Sequence, residues 1–405
     1  MNTLHYTKCG GNILETLTIP KEEDIKTEKI TYCKKCLMPN TRPRVSFDEN
    51  GICNACNWAE RKEKEINWDA RWEELEELCD KYRIEDGSNW DVIVPASGGK
   101  DSYHVAYNMK YKLKMHPLLV RFSPLIPTEI GERNWQNLVD HGFDAIQIYP
   151  DRKVYGKLCK KTLIEQGRPW QPFESAITTA VLRIAIKFNI PFVMYGEEGE
   201  SEYGGRMDMA EKADCKRKWI VDTYFSGVDT DTYVKDYGLS RDQVKWWELP
   251  TQKQLDDLGI FYVHWSYFEN WDHLYHYEIA KKLGFKPVSK VDGTDSVYGY
   301  GTYTDYTCLD DISRTLNTYF MFLKFGFGRG TQEATGDIRA GLMDRDEGIR
   351  LAKQYDNYDC IHFRDQILDF FQMTQEEWDQ VVDKWANRDI LKKEHGIWML
   401  KEPIE

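Results

Sequence analysis

The sequence lacks any run of 18 apolar residues, which argues against a membrane-spanning helix. It also lacks a surplus of positive charge. Lys and Arg total 54 against 67 Asp and Glu, a formal net charge of −13. Such a balance repels a polyanion unless a local basic patch overrides it, so nucleic acid is a disfavoured partner. Residues 1–20 show no basic stretch leading into an apolar one, so the expected location is the cytoplasm. In that reducing compartment disulfides are not expected from the ten cysteines. Internal repeats and low-complexity tracts are missing too. What remains is a 405-residue chain with 41% hydrophobic residues, enough for a sizeable core and two or three globular domains. Aromatics are plentiful and are read mainly as large core residues, with a few free to stack on a sugar or base.

Four cysteines have informative spacing. Cys33 and Cys36, then Cys53 and Cys56, form two C-x2-C pairs sixteen residues apart. Two residues between cysteines let both sulfurs reach one tetrahedral ion, so the pattern predicts a structural zinc site. An iron–sulfur cluster takes the same ligands and stays open as an alternative. The turn at Asn50-Gly51 brings the second pair back to the first. A closed four-sulfur site leaves no open position for catalysis. Cys9, Cys79, Cys159, Cys215, Cys308 and Cys360 lack partners at ligand spacing and read as ordinary small residues.

Residues 1–57 therefore form an N-terminal segment with the cysteine module. Residues 58–88 follow as a linking helix, with Trp68, Trp72, Leu75 and Leu78 at helical spacing. Residues 89–235 alternate strand and helix. Strands are predicted at Trp90–Val94, Pro117–Phe122, Asp144–Pro150 and Pro191–Gly196. Helices are predicted near Asp101–Met115, Glu132–His141, Val154–Glu165 and Ser175–Asn189. The alternation implies an α/β fold with a parallel sheet covered on both faces, and ligands at the carboxyl ends of its strands. Residues 236–405 read as mainly helical, a region for substrate or partner binding.

The first strand runs into "SGGKDS", Ser97-Gly98-Gly99-Lys100-Asp101-Ser102, and then a helix. Small residues let backbone approach a ligand, and amides at a helix start attract anions. Lys100 adds a positive charge, and Ser97 and Ser102 add hydroxyls, so the loop suits phosphate. It is no Walker A loop, because Val94 and Asp101 stand where that motif needs Gly and Ser or Thr. The competing reading is a glycine turn capped by Asp101. Past the fourth strand, Gly196 is followed by Glu197, Glu198, Glu200 and Glu202. Such crowded carboxylates repel unless a cation neutralises them, and magnesium with its oxygen ligands is the candidate. Glu197 and Glu198, nearest the strand end, are the expected ligands. A solvated acidic loop is the alternative.

The hexapeptide resembles the pyrophosphate loop of the ATP pyrophosphatase superfamily, to which asparagine synthetases, argininosuccinate synthetases and tRNA-thiolating enzymes belong. The acidic stretch resembles the pocket-lining "GEGxDExxGG" segment of asparagine synthetases. Joined to the cysteine module and to "LKFGFGRGTQEATGDIRAGLMDRDEGIRL", Leu323–Leu351, the motifs resemble the N-acetyl sugar amidotransferase family of bacterial surface-polysaccharide synthesis over residues 31–355. The resemblance implies an adenine nucleotide alpha hydrolase-like domain that binds ATP through Ser97, Gly98, Gly99, Lys100, Asp101, Ser102, Gly196 and Glu197. Lys100, Asp101 and Ser97 would carry the chemistry, with magnesium on Asp101, Glu197 and Glu198.

The reaction implied turns the acetamido group of a nucleotide-linked sugar into an acetamidino group. ATP activates the amide oxygen, and ammonia then displaces AMP. No glutaminase pattern is visible near Asn2 or Cys9, so the resemblance implies glutaminase and cyclase-like partners similar to those of histidine biosynthesis. Arg329, between Gly328 and Gly330, is the leading candidate for the sugar nucleotide's diphosphate or carboxylate, with Lys324, Arg339 and Arg345 behind it. Asp310 and Asp311 are candidates for sugar hydroxyls. His264, His273 and His276 lie among aromatics and read as core or surface before acid–base groups. Two other readings compete. One is a tRNA-modifying thiolase or lysine ligase with the same loop, disfavoured by the charge and by the lack of a cysteine beside the loop. The other is a nucleotide-binding regulator without activity.

Overall fold

The computed structural model describes residues 29–290 and 297–405. Cys9 and most of the polar lead-in fall outside them. The sheet has five strands, β1 (Val92–Pro95), β2 (Pro117–Phe122), β3 (Asp144–Ile148), β4 (Phe192–Tyr195) and β5 (Phe261–His264). They lie in the order β3-β2-β1-β4-β5, and every pairing is parallel.

Alternation along each strand splits the core in two. Ile93, Leu118, Val120 and Val193 face one layer. It is built by α5 (Arg152–Gln166) and α6 (Gln171–Phe188) through Leu158, Leu163, Ala180 and Ala185. Val92, Val94, Leu119, Phe192 and Val263 face the other. There α2 (Trp68–Tyr82), α3 (Lys100–Tyr107) and α4 (Glu129–Val139) supply Leu75, Tyr103, Ile130 and Leu138. Because both faces are covered, the central strands read as continuous apolar runs.

The structure departs from the sequence expectations in four places. The fifth strand, β5, lies beyond residue 235, so the parallel-sheet unit extends to at least His264. Its short run "FYVH" sits in aromatic surroundings and is too brief to show a period. The single linking helix is two, α1 (Asn54–Lys64) and α2, separated where Asn67 accepts the amide of Ala70 as N-cap. The long helix expected after the loop ends early, and α3 widens into a π-turn at Asn108–Lys112. The C-terminal region is helical but ends in a hairpin, β6 (Leu391–Glu394) with β7 (Ile397–Leu400). Its two-residue turn, His395-Gly396, has both residues at positive φ, which suits the strand twist.

The C-terminal helices pack onto the α5–α6 layer through Leu316, Phe320 and Trp378. One buried carboxylate ties this region to the sheet. Asp311 accepts the amides of Leu125 (2.9 Å), Ile126 (3.0 Å) and Ser313 (2.9 Å), the first two just beyond β2. Both its oxygens are engaged by main chain, so it is a structural anchor and not the sugar ligand expected from its acidity. Asp310 beside it presses its backbone on Gly131, where a Cβ would meet Asp310 Cα at 2.4 Å. Replacing Asp311 by Ala strands three amides away from water. Urea unfolding is expected to show a loss of about 2–4 kcal/mol, with loops after β2 exchanging amide hydrogen faster.

Candidate functional site

The strand order reverses between β1 and β4, and in open parallel sheets ligands bind at that point, beyond the carboxyl ends. The "SGGKDS" loop leaves β1 there, and the glutamate-rich loop leaves β4 beside it. Gly98 has φ +88°, and a Cβ on it would stand 2.7 Å from the N and Cα of Trp135. Only glycine fits. Gly98 N donates to Ser102 Oγ and Gly99 N to Ser97 Oγ, each at 3.1 Å, while Ser102 Oγ donates to the Gly99 carbonyl at 2.8 Å. Two hydroxyls thus hold the amides that a phosphate oxygen would take over. Gly99, not Asp101, is the N-cap of α3, and no side chain caps it. The turn-capped-by-Asp101 reading is therefore set aside.

Asp101 instead bridges two cations-to-be. Its Oδ2 accepts Lys100 Nζ at 2.6 Å, and its Oδ1 lies 2.9 Å from His276 Nδ1. Burial works to raise the Asp101 carboxyl, but Lys100 and then His276 outweigh it and hold the group well below the usual carboxylate range. Lys100 is only 6% exposed and folds back onto this carboxylate, where the sequence suggested a mobile charge. His276, on the helix His273–Lys282, is fully buried and its Nε2 has no hydrogen-bond partner among the described residues. It stacks on His104 with ring centroids 4.0 Å apart, and Trp271 meets it edge-on at 4.4 Å. His104 Nε2 in turn lies 2.5 Å from Glu269 Oε2. His276, His104 and Glu269 were missed as site residues. The only signal was the His273-x2-His276 spacing, which places both on one helix face.

The glutamates divide by role. Glu197 is the one coupled to the loop. Burial first, then the Asp101 charge, pushes its carboxyl up to about 7, and Tyr203 donates to its Oε1 at 3.0 Å. Glu198 caps α7 (Gly199–Tyr203), with its carboxylate accepting from Ser201 N and Oγ at 2.8 Å and Tyr224 at 2.7 Å. Committed to capping α7 through the Ser201 amide, it does not fit the magnesium role expected of it, whereas Asp101, though both its oxygens are engaged, is held by the side chains of Lys100 and His276 alone. Glu200 is held by Arg44 at 2.7 and 2.6 Å, and Glu202 by Lys62 at 2.5 Å. Repulsion in the acidic stretch is thus relieved by one cation of the cysteine module, Arg44, and one of the α1 helix that leaves it, Lys62. Asp101 and Glu197, one from each loop, remain as oxygen donors suited to a hard cation. Gly196 packs under Trp271, whose ring a Cβ would meet at 3.1 Å.

The four cysteines converge. Cys33 and Cys56 sulfurs are 3.9 Å apart, Cys36 and Cys53 sulfurs 3.7 Å, and all four lie within 4.8 Å of one another. A tetrahedron with bonds of about 2.3 Å has edges of about 3.8 Å, so the spacing fits one ion. A four-iron cluster, with each sulfur on a separate iron, needs wider separation. Amides of Cys53 and Met38 point at Cys33 and Cys36 sulfurs, at 3.2 and 3.4 Å, as thiolate ligands require.

The C-terminal candidates are not all gathered here. Arg329 is 2% exposed and bonds Glu333 at 2.8 Å and the Thr307 carbonyl. Its flanking glycines clear other backbone: a Cβ on Gly328 would stand 2.4 Å from Asp356 O. They serve packing, not ligand approach. Lys324 reaches the Gln166 carbonyl at 3.1 Å over the Trp385 ring, and Arg345 reaches the Glu405 carbonyl at 3.1 Å. Arg339 does approach the β4 loop, with Nη2 3.5 Å from the Glu202 carbonyl. His273 bonds Asp337 at 2.9 Å, and Tyr303 donates to the same carboxylate at 2.7 Å, so a polar wall continues from the loop into the C-terminal region. His264, at the end of β5, is buried, which depresses it to about 3, and it belongs to the core.

Three outcomes test this geometry. Gly98→Ala is expected to lower adenine-nucleotide affinity at least tenfold in calorimetry, since the loop must shift off Trp135. Cys36→Ser is expected to remove the module's metal, read by atomic emission. Glu197 keeps in the folded chain a proton that the unfolded chain releases near 4.5. Its contribution therefore makes stability fall as pH rises from about 4.5 to about 7. Glu197→Gln is expected to flatten that slope in melts run without divalent cations.

Residues 300–404 match a family model described as the LPS biosynthesis protein WbpG-like, C-terminal domain. No curated protein matches the chain. Among the solved structures similar to it are two from archaea. A predicted subunit of tRNA methyltransferase from Methanocaldococcus jannaschii has 19% identity, covering 47% of this chain and 73% of that one, with TM-score 0.26. The U34-tRNA thiolase NcsA from Methanococcus maripaludis, described with its 4Fe-4S cluster, has 14% identity over 77% and 87%, with TM-score 0.30. The resemblance to a bacterial surface-polysaccharide family, read first from motifs, is thus met independently in residues 300–404, which are similar to the WbpG C-terminal domain.

Proposed function

We propose that the chain is an ATP-dependent amidotransferase of surface-polysaccharide synthesis, acting on the acetamido group of a nucleotide-linked sugar. The observation that carries this is the "SGGKDS" loop at the reversal of strand order, facing Glu197, in a chain whose C-terminal part is WbpG-like. An amide oxygen is a poor leaving group. Its attack on the α-phosphorus of ATP breaks the bond to the β-phosphate oxygen, and pyrophosphate departs. Ammonia adds to the activated carbon, AMP leaves with the oxygen, and loss of a proton gives the amidine.

The amides of Gly98 and Gly99 and the ammonium of Lys100 would bind the departing pyrophosphate, with Ser97 and Ser102 releasing those amides as it arrives. His276 and Lys100 keep Asp101 ionised and aimed. Asp101 and Glu197 would hold magnesium, which when bound neutralises charge on the phosphates. In the cysteine module zinc is the ion of choice, as a brace. Ammonium is largely protonated near neutrality, so glutaminase and cyclase-like partners delivering ammonia are part of the proposal. The cytoplasm is the location that suits ATP and nucleotide sugars, and no helix among the described residues is long and apolar enough to cross a membrane.

The test is pyrophosphate release with ATP, magnesium, ammonium and a panel of UDP-acetamido sugars. Release that depends on one sugar is expected, and Lys100→Ala should cut it at least a hundredfold. Release that depends on tRNA and ignores every sugar would overturn the reading.

A further inference from the structure

Three arginines meet where the cysteine module, the β4 loop and the end of the helix Arg329–Arg339 come together. Arg44, at φ +67°, is spent on Glu200. Arg42 and Arg339 are not spent. A guanidinium has five N–H donors. Among the described residues, Arg42 makes one hydrogen bond, Nη1 to the Pro43 carbonyl at 3.3 Å. Arg339 makes one long contact, Nη2 to the Glu202 carbonyl at 3.5 Å, and its Nη1 is buried without a partner. The charges crowd one another. Burial lowers Arg42 to about 10, with Glu200 opposing and Arg44 and Arg339 adding to the depression. The one carboxylate at the centre, Glu200, is already saturated by Arg44 and the Arg206 amide. Glu174 and Glu198 are felt from further off, and each has its own partner, Arg168 and Ser201.

Both arginines are half-buried, and partly desolvated cations with idle donors are stabilised when an anion fills the gap. We propose that Arg42 and Arg339, seated on the Arg44–Glu200 pair, form an oxyanion site for the diphosphate of the sugar-nucleotide substrate. The choice of diphosphate rests on the amidotransferase reading. Planar forks on two separate elements suit adjacent phosphoryl groups better than a single lysine would. The site shares its loop with Glu197, three residues before Glu200, so a sugar held by its diphosphate here would extend toward the ATP crevice.

UDP is the probe, titrated by calorimetry with α,β-methylene ATP filling the loop. Arg42→Gln and Arg339→Gln are each expected to weaken UDP binding roughly ten- to hundredfold. Affinity for the ATP analogue and metal content should not change, and melting temperature should hold or rise, since a repulsive charge is removed. Equal UDP affinity in the variants overturns the site, as does a wild-type chain that binds no UDP. Metal loss in step with weaker binding also overturns it, because the arginines would then be balancing the thiolate charge. Failure of the amidotransferase reading looks different: pyrophosphate release ignores acetamido sugars while UDP binding is still lost in both variants.

Discussion

Buried charge must find a partner, and this requirement organises the whole crevice. Asp101 sits on the loop after β1, and its partners come from its neighbour Lys100 and from His276, 175 residues away. Glu200 and Glu202 sit on the loop after β4, and their partners Arg44 and Lys62 come from the cysteine module and from the α1 helix that leaves it. Four stretches far apart in the chain are therefore drawn to one end of the sheet by a few charged contacts. The apolar layers determine that the sheet forms. The charge pairs determine what stands at its carboxyl end.

This gives the cysteine module a mechanical meaning. The loop after β4 carries no regular structure beyond the five residues of α7, and it is pinned on one side by α1 and the knuckle region, through Trp58, Lys62, Asn54 and Arg44, with Tyr224 and Ser266 holding Glu198 as well. A tetrahedral ion would stiffen the knuckles, and through these contacts would stiffen the loop that carries Glu197. The C-terminal region approaches from the other side, with Asp337 holding His273 on the same helix that presents His276 to Asp101. The helix His273–Lys282 thus links the loop after β1 to the part of the chain that is similar to the WbpG domain.

Much of this was legible in the residues. The strand at Pro117–Phe122, the one that begins at Asp144 and the two-knuckle cysteine set were readable because each depends on spacing within a few residues. Glu198 and Asp311 were misread for one reason. A carboxylate in a sequence does not show whether main-chain amides will saturate it, and in both cases they do so in part or in full. Arg329 was misread because glycines beside it clear Asp356 backbone, a neighbour only the packing supplies.

By itself the sequence determined the α/β alternation, the convergence of the four cysteines and the glycine-rich loop between the first strand and its helix. These follow from local periodicity, turn chemistry and ligand reach, which act within one element or between adjacent ones. Tertiary structure alone decided that β5 completes the sheet and that His276 shares Asp101 with Lys100. It also decided which glutamates are tied down and which arginines keep idle donors. Those outcomes depend on which side chains meet once apolar faces are buried, and contact across a hundred residues or more leaves no periodic trace in the chain.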